Sequence, residues 1–103
     1  MYTTSLKSMP YAQASVIDDQ RGNVYLRSYS TIVCQISGDW FYCNGLYSAT
    51  TRRHISAFCR EYGRGVVSYA TARDVCVRDG YAFNMETGEV KPWEEVEVED
   101  RSA

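Results

Sequence analysis

The feature that most constrains the fold is a pair of short β-forming segments, residues 31–37 and 40–44, on either side of Gly38-Asp39. A Gly-Asp pair between two such segments is typical of a tight β-hairpin turn. Because side chains alternate along a strand, a symmetric turn here gives the hairpin one wholly apolar face. That face carries Ile32, Cys34, Ile36, Phe41 and Cys43, with Cys34 opposite Cys43 and Ile36 opposite Phe41. The second face is mixed and carries Val33, Gln35, Ser37, Trp40 and Tyr42, with Gln35 opposite Tyr42. We therefore expect the apolar face to lie against the core.

A helix is predicted over residues 51–62, soon after the hairpin. Apolar side chains recur there at the spacing of one helical face, at Ile55, Phe58, Cys59 and Tyr62. Ser48, Thr50 and Thr51 precede the stripe and are suitable N-caps. Gly63 follows the stripe and is a suitable C-terminal stop. We expect the stripe to pack on the apolar face of the hairpin, and Arg52, Arg53, Arg60 and Glu61 to point toward solvent.

These two elements predict a single α+β domain over residues 1–103, with a small antiparallel sheet and one main helix. A chain of 103 residues can bury one modest core. Thr71-Ala72-Arg73-Asp74 resembles a capping box and predicts a second short helix over about residues 71–79. The alternative is a strand over 75–78 that turns into a strand over 81–84. Residues 1–11 are interpreted as a loose N-terminal arm.

The charge is concentrated in an acidic C-terminal segment, residues 85–103. This segment holds seven of the 13 Asp and Glu residues but only two of the 11 Lys and Arg residues. The net charge of −2 argues against a protein that binds nucleic acid through bulk positive charge. The segment is either solvated or available to a basic partner.

Two segments resemble blocks in small, uncharacterised proteins of phages and mobile elements. Residues 47–55, followed by Phe58, resemble a YSxTTxxHIxxF block, and residues 25–33 resemble the SYxTxI strand that precedes it. The resemblance covers about residues 24–63 and implies an accessory protein of a phage or mobile element. It brings no established chemistry. Small size, an acidic segment and many tyrosines also make the chain similar in profile, though not in motif, to anti-CRISPR proteins.

The threonines and the histidine of this block are expected to have structural roles. Thr50 and Thr51 can accept hydrogen bonds from unpaired amides at the helix start. His54 follows in the first turn, at the margin of the buried face, where it could bond back to the hairpin.

The four cysteines are most simply core thiols, and no cofactor is expected. Their spacing matches no familiar zinc motif, although the fold could gather Cys34, Cys43, His54 and Cys59 into a Cys3His zinc site. A disulfide between Cys34 and Cys43 is a further alternative. With one histidine and no acid in a motif position near it, the sequence predicts no enzyme.

The function that the sequence favours is stoichiometric protein binding, as by an inhibitor of a host defence system. The partner would be a host protein or ribonucleoprotein complex in the cytosol, and no membrane interaction is expected. Nine tyrosines suit a protein-binding surface. The predicted contact residues are Trp40 and Tyr42 on the hairpin's second face and Glu94, Glu95, Glu97 and Glu99 in the acidic segment.

Three alternatives stay open. A nucleic-acid-binding regulator would use Arg52, Arg53, Arg60 and Arg64. The chain could dimerise through its edge strands. The second face of the hairpin could also be covered within the chain, by the strand at 12–17 or by the segment around Trp93.

Overall fold

A computed structural model describes residues 1–96 and confirms the α+β fold. Its seven strands form one antiparallel sheet in which neighbours in sequence are neighbours in space. The strands are β1 (Tyr2–Thr4), β2 (Ala14–Asp18), β3 (Asn23–Ser28), β4 (Thr31–Ser37), β5 (Trp40–Cys43), β6 (Tyr81–Asn84) and β7 (Val90–Pro92). A helix α1 (Ala49–Tyr62) and a second helix (Thr71–Arg78) lie between β5 and β6 in sequence, and a 3-10 turn (Trp93–Glu95) follows β7.

The predicted hairpin register is confirmed. Cys34 pairs with Cys43, Gln35 with Tyr42 and Ile36 with Phe41. Gly38 has a φ of 59°, which suits the first position of a type II′ turn and which glycine adopts without steric cost. The turn chemistry and the alternation of side chains agree, so the register is specified locally.

The predicted position of Ile32 on the apolar face is wrong. A β-bulge interrupts the pairing of β3 with β4, since Leu26 pairs with Cys34 but Arg27 pairs with Ile32. The inserted residue, Val33, is buried, whereas Ile32 is 38% exposed. An extra residue shifts the alternation of side chains by one position, so Ile32 shares a face with the exposed Arg27.

Helix α1 packs as predicted but begins two residues earlier. Ser48 is the N-cap, and its hydroxyl accepts a hydrogen bond from the Thr51 amide at 3.2 Å. Ile55, Phe58 and Cys59 are fully buried, and the Phe58 ring lies 6.4 Å from that of Phe41. No helix within residues 1–96 is long and apolar enough to cross a membrane.

The second helix forms close to its predicted bounds, with π-helical winding over Thr71–Arg78. Its capping pair lies one turn earlier than predicted, because Ser68 and Thr71 exchange hydrogen bonds between their amides and hydroxyls. Asp74 instead forms an ion pair with Arg73. The alternative strand at 75–78 is wrong, although the strand at 81–84 is present as β6.

The interpretation of residues 1–11 as a loose arm is wrong. Tyr2–Thr4 pairs with β2 as the edge strand β1, and Leu6 is 0% exposed within the core. The Glu61 carboxylate, predicted to face solvent, accepts hydrogen bonds from the Lys7 amide and from the Ser8 amide and hydroxyl. A carboxylate on α1 therefore holds the N-terminal segment against the domain.

The acidic segment is folded over its described part, up to residue 96. Met85 and Val96 are buried, and residues 90–92 form the edge strand β7. Its described glutamates, Glu86, Glu89, Glu94 and Glu95, are nevertheless exposed to solvent, as the solvated interpretation expects. Its last residues, 97–103, lie outside the described part of the chain.

Candidate functional site

The two faces of the sheet differ, because both helices pack on the same one. Leu26, Cys34 and Cys43 form one cross-strand row, and all three lie in the core cluster with the apolar stripe of α1. The second helix joins that cluster through Cys76, whose thiol lies 3.9 Å from the Phe41 carbonyl oxygen.

The opposite face carries no helix within residues 1–96. We call it the helix-free face. It consists of the cross-strand row Tyr25–Gln35–Tyr42, of Trp40 in the neighbouring row, and of residues at the end of β7 and directly after it. Its half-buried members are Tyr25, Gln35, Trp40, Tyr42, Lys91 and Trp93.

Aromatic rings on the helix-free face pair with residues from the C-terminal strand. Tyr42 and Trp93 stack with ring centroids 4.8 Å apart and an interplanar angle of 1°. The Lys91 ammonium lies 4.7 Å from the centre of the Trp40 indole, within the range of a cation–π contact. The chain thus partly covers Trp40 and Tyr42 itself, as the alternative interpretation expected, while leaving both half-exposed.

A groove of about 270 Å³ opens beside the Tyr42–Trp93 stack. It is lined by Ile32, Val33, Cys34, Gln35, Tyr42, Asn44 and Trp93. The β-bulge shapes it, because the bulge turns Ile32 outward onto this face. The lining combines aromatic and aliphatic surface with two side-chain amides, which is the composition of a site for an apolar anchor with a polar neighbour.

Negative charge lies next to this groove. Glu94 and Glu95 directly follow Trp93 in the 3-10 turn and are exposed. Burial raises the pKa of Tyr42 above its ordinary value of 10, and the nearby Cys76, Cys43 and Glu94 raise it further. The other two predicted glutamates, Glu97 and Glu99, lie outside the described residues.

Thr51 and His54 have structural roles, and both form hydrogen bonds with Ser28, a partner that the sequence did not indicate. The Ser28 hydroxyl lies 2.9 Å from the Thr51 hydroxyl and 2.8 Å from His54 Nδ1. All three side chains are buried, and burial lowers the pKa of His54 below its ordinary value of 6.5. The cluster joins the end of β3 to the first turns of α1, which brings the two recognised sequence blocks together. Thr50 is half-buried and does not act as the cap.

A serine hydroxyl next to an imidazole is also the arrangement of a nucleophile and its base. Ser28 is 2% exposed and His54 1% exposed, so no substrate could reach the hydroxyl in this structure. The neighbour of the pair is the Thr51 hydroxyl rather than a carboxylate that would orient the ring. The geometry favours a fold-stabilising hydrogen-bond network.

The four predicted nucleic-acid-binding arginines are exposed, and one of them is in an ion pair. Arg52 and Arg53 are exposed in the first turn of α1, and Arg60 is exposed in its last turn. Arg64 lies beyond the helix and bonds to Asp39 at 2.6 Å and to the Gly38 carbonyl. That ion pair partly neutralises the charge that a phosphate would use.

The Cys3His zinc site, which the sequence left as an alternative to core thiols, is not assembled in the described part of the chain. Within residues 1–96, no three His, Cys, Asp or Glu side chains are placed to hold a metal ion together. His54 and Cys59 are five residues apart, about 140° around a helix axis, and His54 is bonded to Ser28. Cys34, Cys43, Cys59 and Cys76 are all free and buried, and burial raises the pKa of Cys59 and of Cys76 to about 12.

Gln35 lies on this surface as the alternation along β4 predicts, beside Tyr42 on the hairpin's second face, although it was not among the predicted contact residues. Lys91 is a member of the surface that the sequence did not indicate, because its approach to Trp40 depends on the pairing of β5, β6 and β7 across about 50 residues of chain.

A comparison with protein families identifies one match, which covers residues 1–74. These residues contain β1–β5, α1 and the start of the second helix, whereas Lys91 and Trp93 lie outside them. No curated protein and no solved structure matches the chain. With most of its length matched, the chain belongs to a family of unknown function, DUF8033.

Proposed function

We propose that this protein acts by stoichiometric protein binding through the helix-free face, without catalysing a reaction. The observation that carries the proposal is the groove beside the Tyr42–Trp93 stack. Stacked rings offer a large, rigid contact surface with little conformational entropy left to lose on binding. An aromatic surface of this kind supplies the anchors that dominate the affinity of protein interfaces.

The charge next to the groove supports a partner with a basic surface. Glu94 and Glu95 are exposed directly after Trp93, which lines the groove, and Glu97, Glu99 and Asp100 follow them in sequence. Complementary charge would steer a basic partner toward the groove and raise the association rate more than the affinity. We infer a cytosolic protein or ribonucleoprotein partner with an apolar side chain at the edge of a basic groove.

The resemblance over residues 24–63 to phage and mobile-element proteins supports a biological setting for this binding. In that setting the partner would be a component of a host defence system, and binding would block its function, as anti-CRISPR proteins do. Effector complexes that hold nucleic acid carry basic grooves, which match the acidic end of the helix-free face.

The test measures binding of the full chain to purified CRISPR effector complexes by calorimetry. We expect one chain to bind per complex, and Trp93→Ala to weaken binding at least tenfold, because a buried aromatic anchor contributes about 2 kcal/mol or more. Tyr11→Ala is the matched control, since Tyr11 is 98% exposed and distant in sequence from the groove. The melting temperature of each variant separates loss of binding from loss of folding.

A second variant tests the surface without disturbing the fold. Glu94→Gln with Glu95→Gln changes only exposed side chains. We expect a slower association rate and a weaker dependence of that rate on salt. Unchanged rates, or binding to free single-stranded nucleic acid that Arg52→Ala with Arg53→Ala abolishes, would favour the nucleic-acid alternative instead.

A further inference from the structure

A pair of thiols beneath the groove has a geometry that the proposed binding function does not use. Cys34 and Cys43 are directly opposed across β4 and β5. The Asn44 backbone N–H donates to the Val33 carbonyl oxygen at 3.0 Å, so Val33 and Asn44 form a hydrogen-bonded pair of the ladder. The next pair along an antiparallel ladder, Cys34 with Cys43, is therefore of the non-hydrogen-bonded kind, with Cα atoms about 4.5 Å apart.

That separation lies at the lower end of the usual range of about 4.4–6.8 Å between the Cα atoms of two disulfide-bonded cysteines. The two thiols also contact each other, and the hydrogen bond from Cys34 lowers the pKa of Cys43 although burial opposes it. For Cys34 itself, burial and the neighbouring Cys43 raise the pKa. The pair thus has one thiol suited to attack and a second placed to resolve the product.

We propose that Cys34 and Cys43 form a reversible dithiol pair that low-molecular-weight disulfides oxidise to a cross-strand disulfide. The Cys43 thiolate attacks one sulfur of the small disulfide, forming a mixed disulfide and releasing one small thiolate. The Cys34 sulfur then attacks the Cys43 sulfur and releases the second. Two electrons pass from the protein to the small disulfide, and the two cysteine protons end on the two released thiols.

Access to the pair is through the end of β5. Both thiols are buried, at 2% exposure for Cys34 and 0% for Cys43. Cys43 is the last residue of its strand, and β5 pairs with β6 only through Trp40 and Phe41. Beyond the two Asn44 bonds to the Val33 and Ile32 carbonyls, the segment before α1 has no regular structure, so a local opening that breaks these bonds exposes Cys43 without unfolding the sheet.

Cys59 and Cys76 are internal controls, because each lies in a helix and each has its pKa raised by burial to about 12. The selectivity of the reaction for the strand pair is therefore the central prediction. It also follows that oxidation would fix the pairing of β4 with β5 at the groove, since Cys34 is among the residues that line it.

The experiment treats the folded full chain with excess glutathione disulfide, blocks remaining thiols with an alkylating agent and digests with trypsin and Asp-N. The two proteases place the four cysteines in four peptides, residues 28–38, 39–52, 54–60 and 74–78. We expect peptide 28–38 linked to 39–52 and the other two alkylated, with full reversal by reduced glutathione. Cys59→Ser should behave identically, whereas Cys34→Ser should retain one glutathionyl group on Cys43.

Three results would overturn the proposal. One is four alkylated cysteines after treatment of the folded chain. Another is a link that includes Cys59 or Cys76. The third is a link between Cys34 and Cys43 that forms only in denaturant, because the reaction would then belong to the unfolded chain.

Discussion

His54 shows how one buried side chain can connect two distant parts of the sequence. Its Nδ1 lies 2.8 Å from the Ser28 hydroxyl, so a buried hydrogen bond joins β3 to α1. Leaving such a buried group without its partner costs about 1–3 kcal/mol. The Tyr29 ring lies 6.0 Å from the imidazole, with the Tyr29 backbone at a φ of 55° in the β3–β4 turn.

Stability is expected to fall as the pH drops below the ordinary histidine value of 6.5. Burial lowers the pKa of His54 in the fold, so the unfolded chain takes up the proton first and proton uptake favours unfolding. Urea unfolding followed from pH 7 down to about 5, above the range in which carboxylates take up protons, measures this. In His54→Gln, which keeps a hydrogen-bonding group but does not titrate, the decline over that range should be absent. An equally steep decline in the variant would contradict the assignment.

At the element scale, the N-terminal segment is held by two separate contacts. Leu6 fills the core, and Glu61 of α1 binds the amides that follow it. Burial raises the pKa of Glu61, but the hydrogen bonds from Ser8 and Lys7 outweigh it, and the net pKa is lowered. The ionised carboxylate is therefore the form that holds the segment, and this contact weakens as the pH falls through the lowered pKa.

Leu6→Ala is expected to lower the free energy of unfolding by about 2–5 kcal/mol, because it removes a fully buried side chain and leaves a cavity. Tyr11→Ala, in the same segment but 98% exposed, should change it by less than about 0.5 kcal/mol. Urea titration of both variants measures the difference. Equal stabilities would mean that the segment does not pack as described.

For the whole molecule, the sheet runs from the N-terminal segment to the C-terminal strand. β1 is one edge and β7 the other, and buried residues at both ends, Leu6 and Val96, complete the fold. Dimerisation through these edge strands stays a prediction. Within residues 1–96, each edge strand has one side whose backbone groups pair with no other strand and could pair with a second chain.

A truncated chain of residues 12–84 is expected to unfold at a much lower temperature than the full chain, or not to fold. It lacks β1, Leu6, β7 and the Trp93 ring that covers Tyr42. Circular dichroism during a thermal scan measures the change, with removal of residues 97–103 alone as the control. A cooperative transition near that of the full chain would show that residues 12–84 contain the complete core.

The sequence by itself determined the elements whose evidence is local. Gly38-Asp39 and the alternation around it specified the register of β4 with β5. The spacing of Ile55, Phe58 and Cys59 specified the buried face of α1. For the hairpin, the turn residues and the alternation of apolar side chains favour the same register. For the helix, the spacing of apolar side chains favours one buried face. Both signals lie within about a dozen residues of chain.

Only the tertiary structure decided the features that depend on distant contacts. Residues 2–4 and 90–92 have little pattern of their own and become strands because an edge of the sheet offers them backbone partners. The bulge at Val33 follows from the pairing of β3 with β4, and the Trp93 ring reaches Tyr42 across 51 positions. Such contacts leave no periodic signal in either segment, because the free energy that selects them arises only when the two surfaces meet.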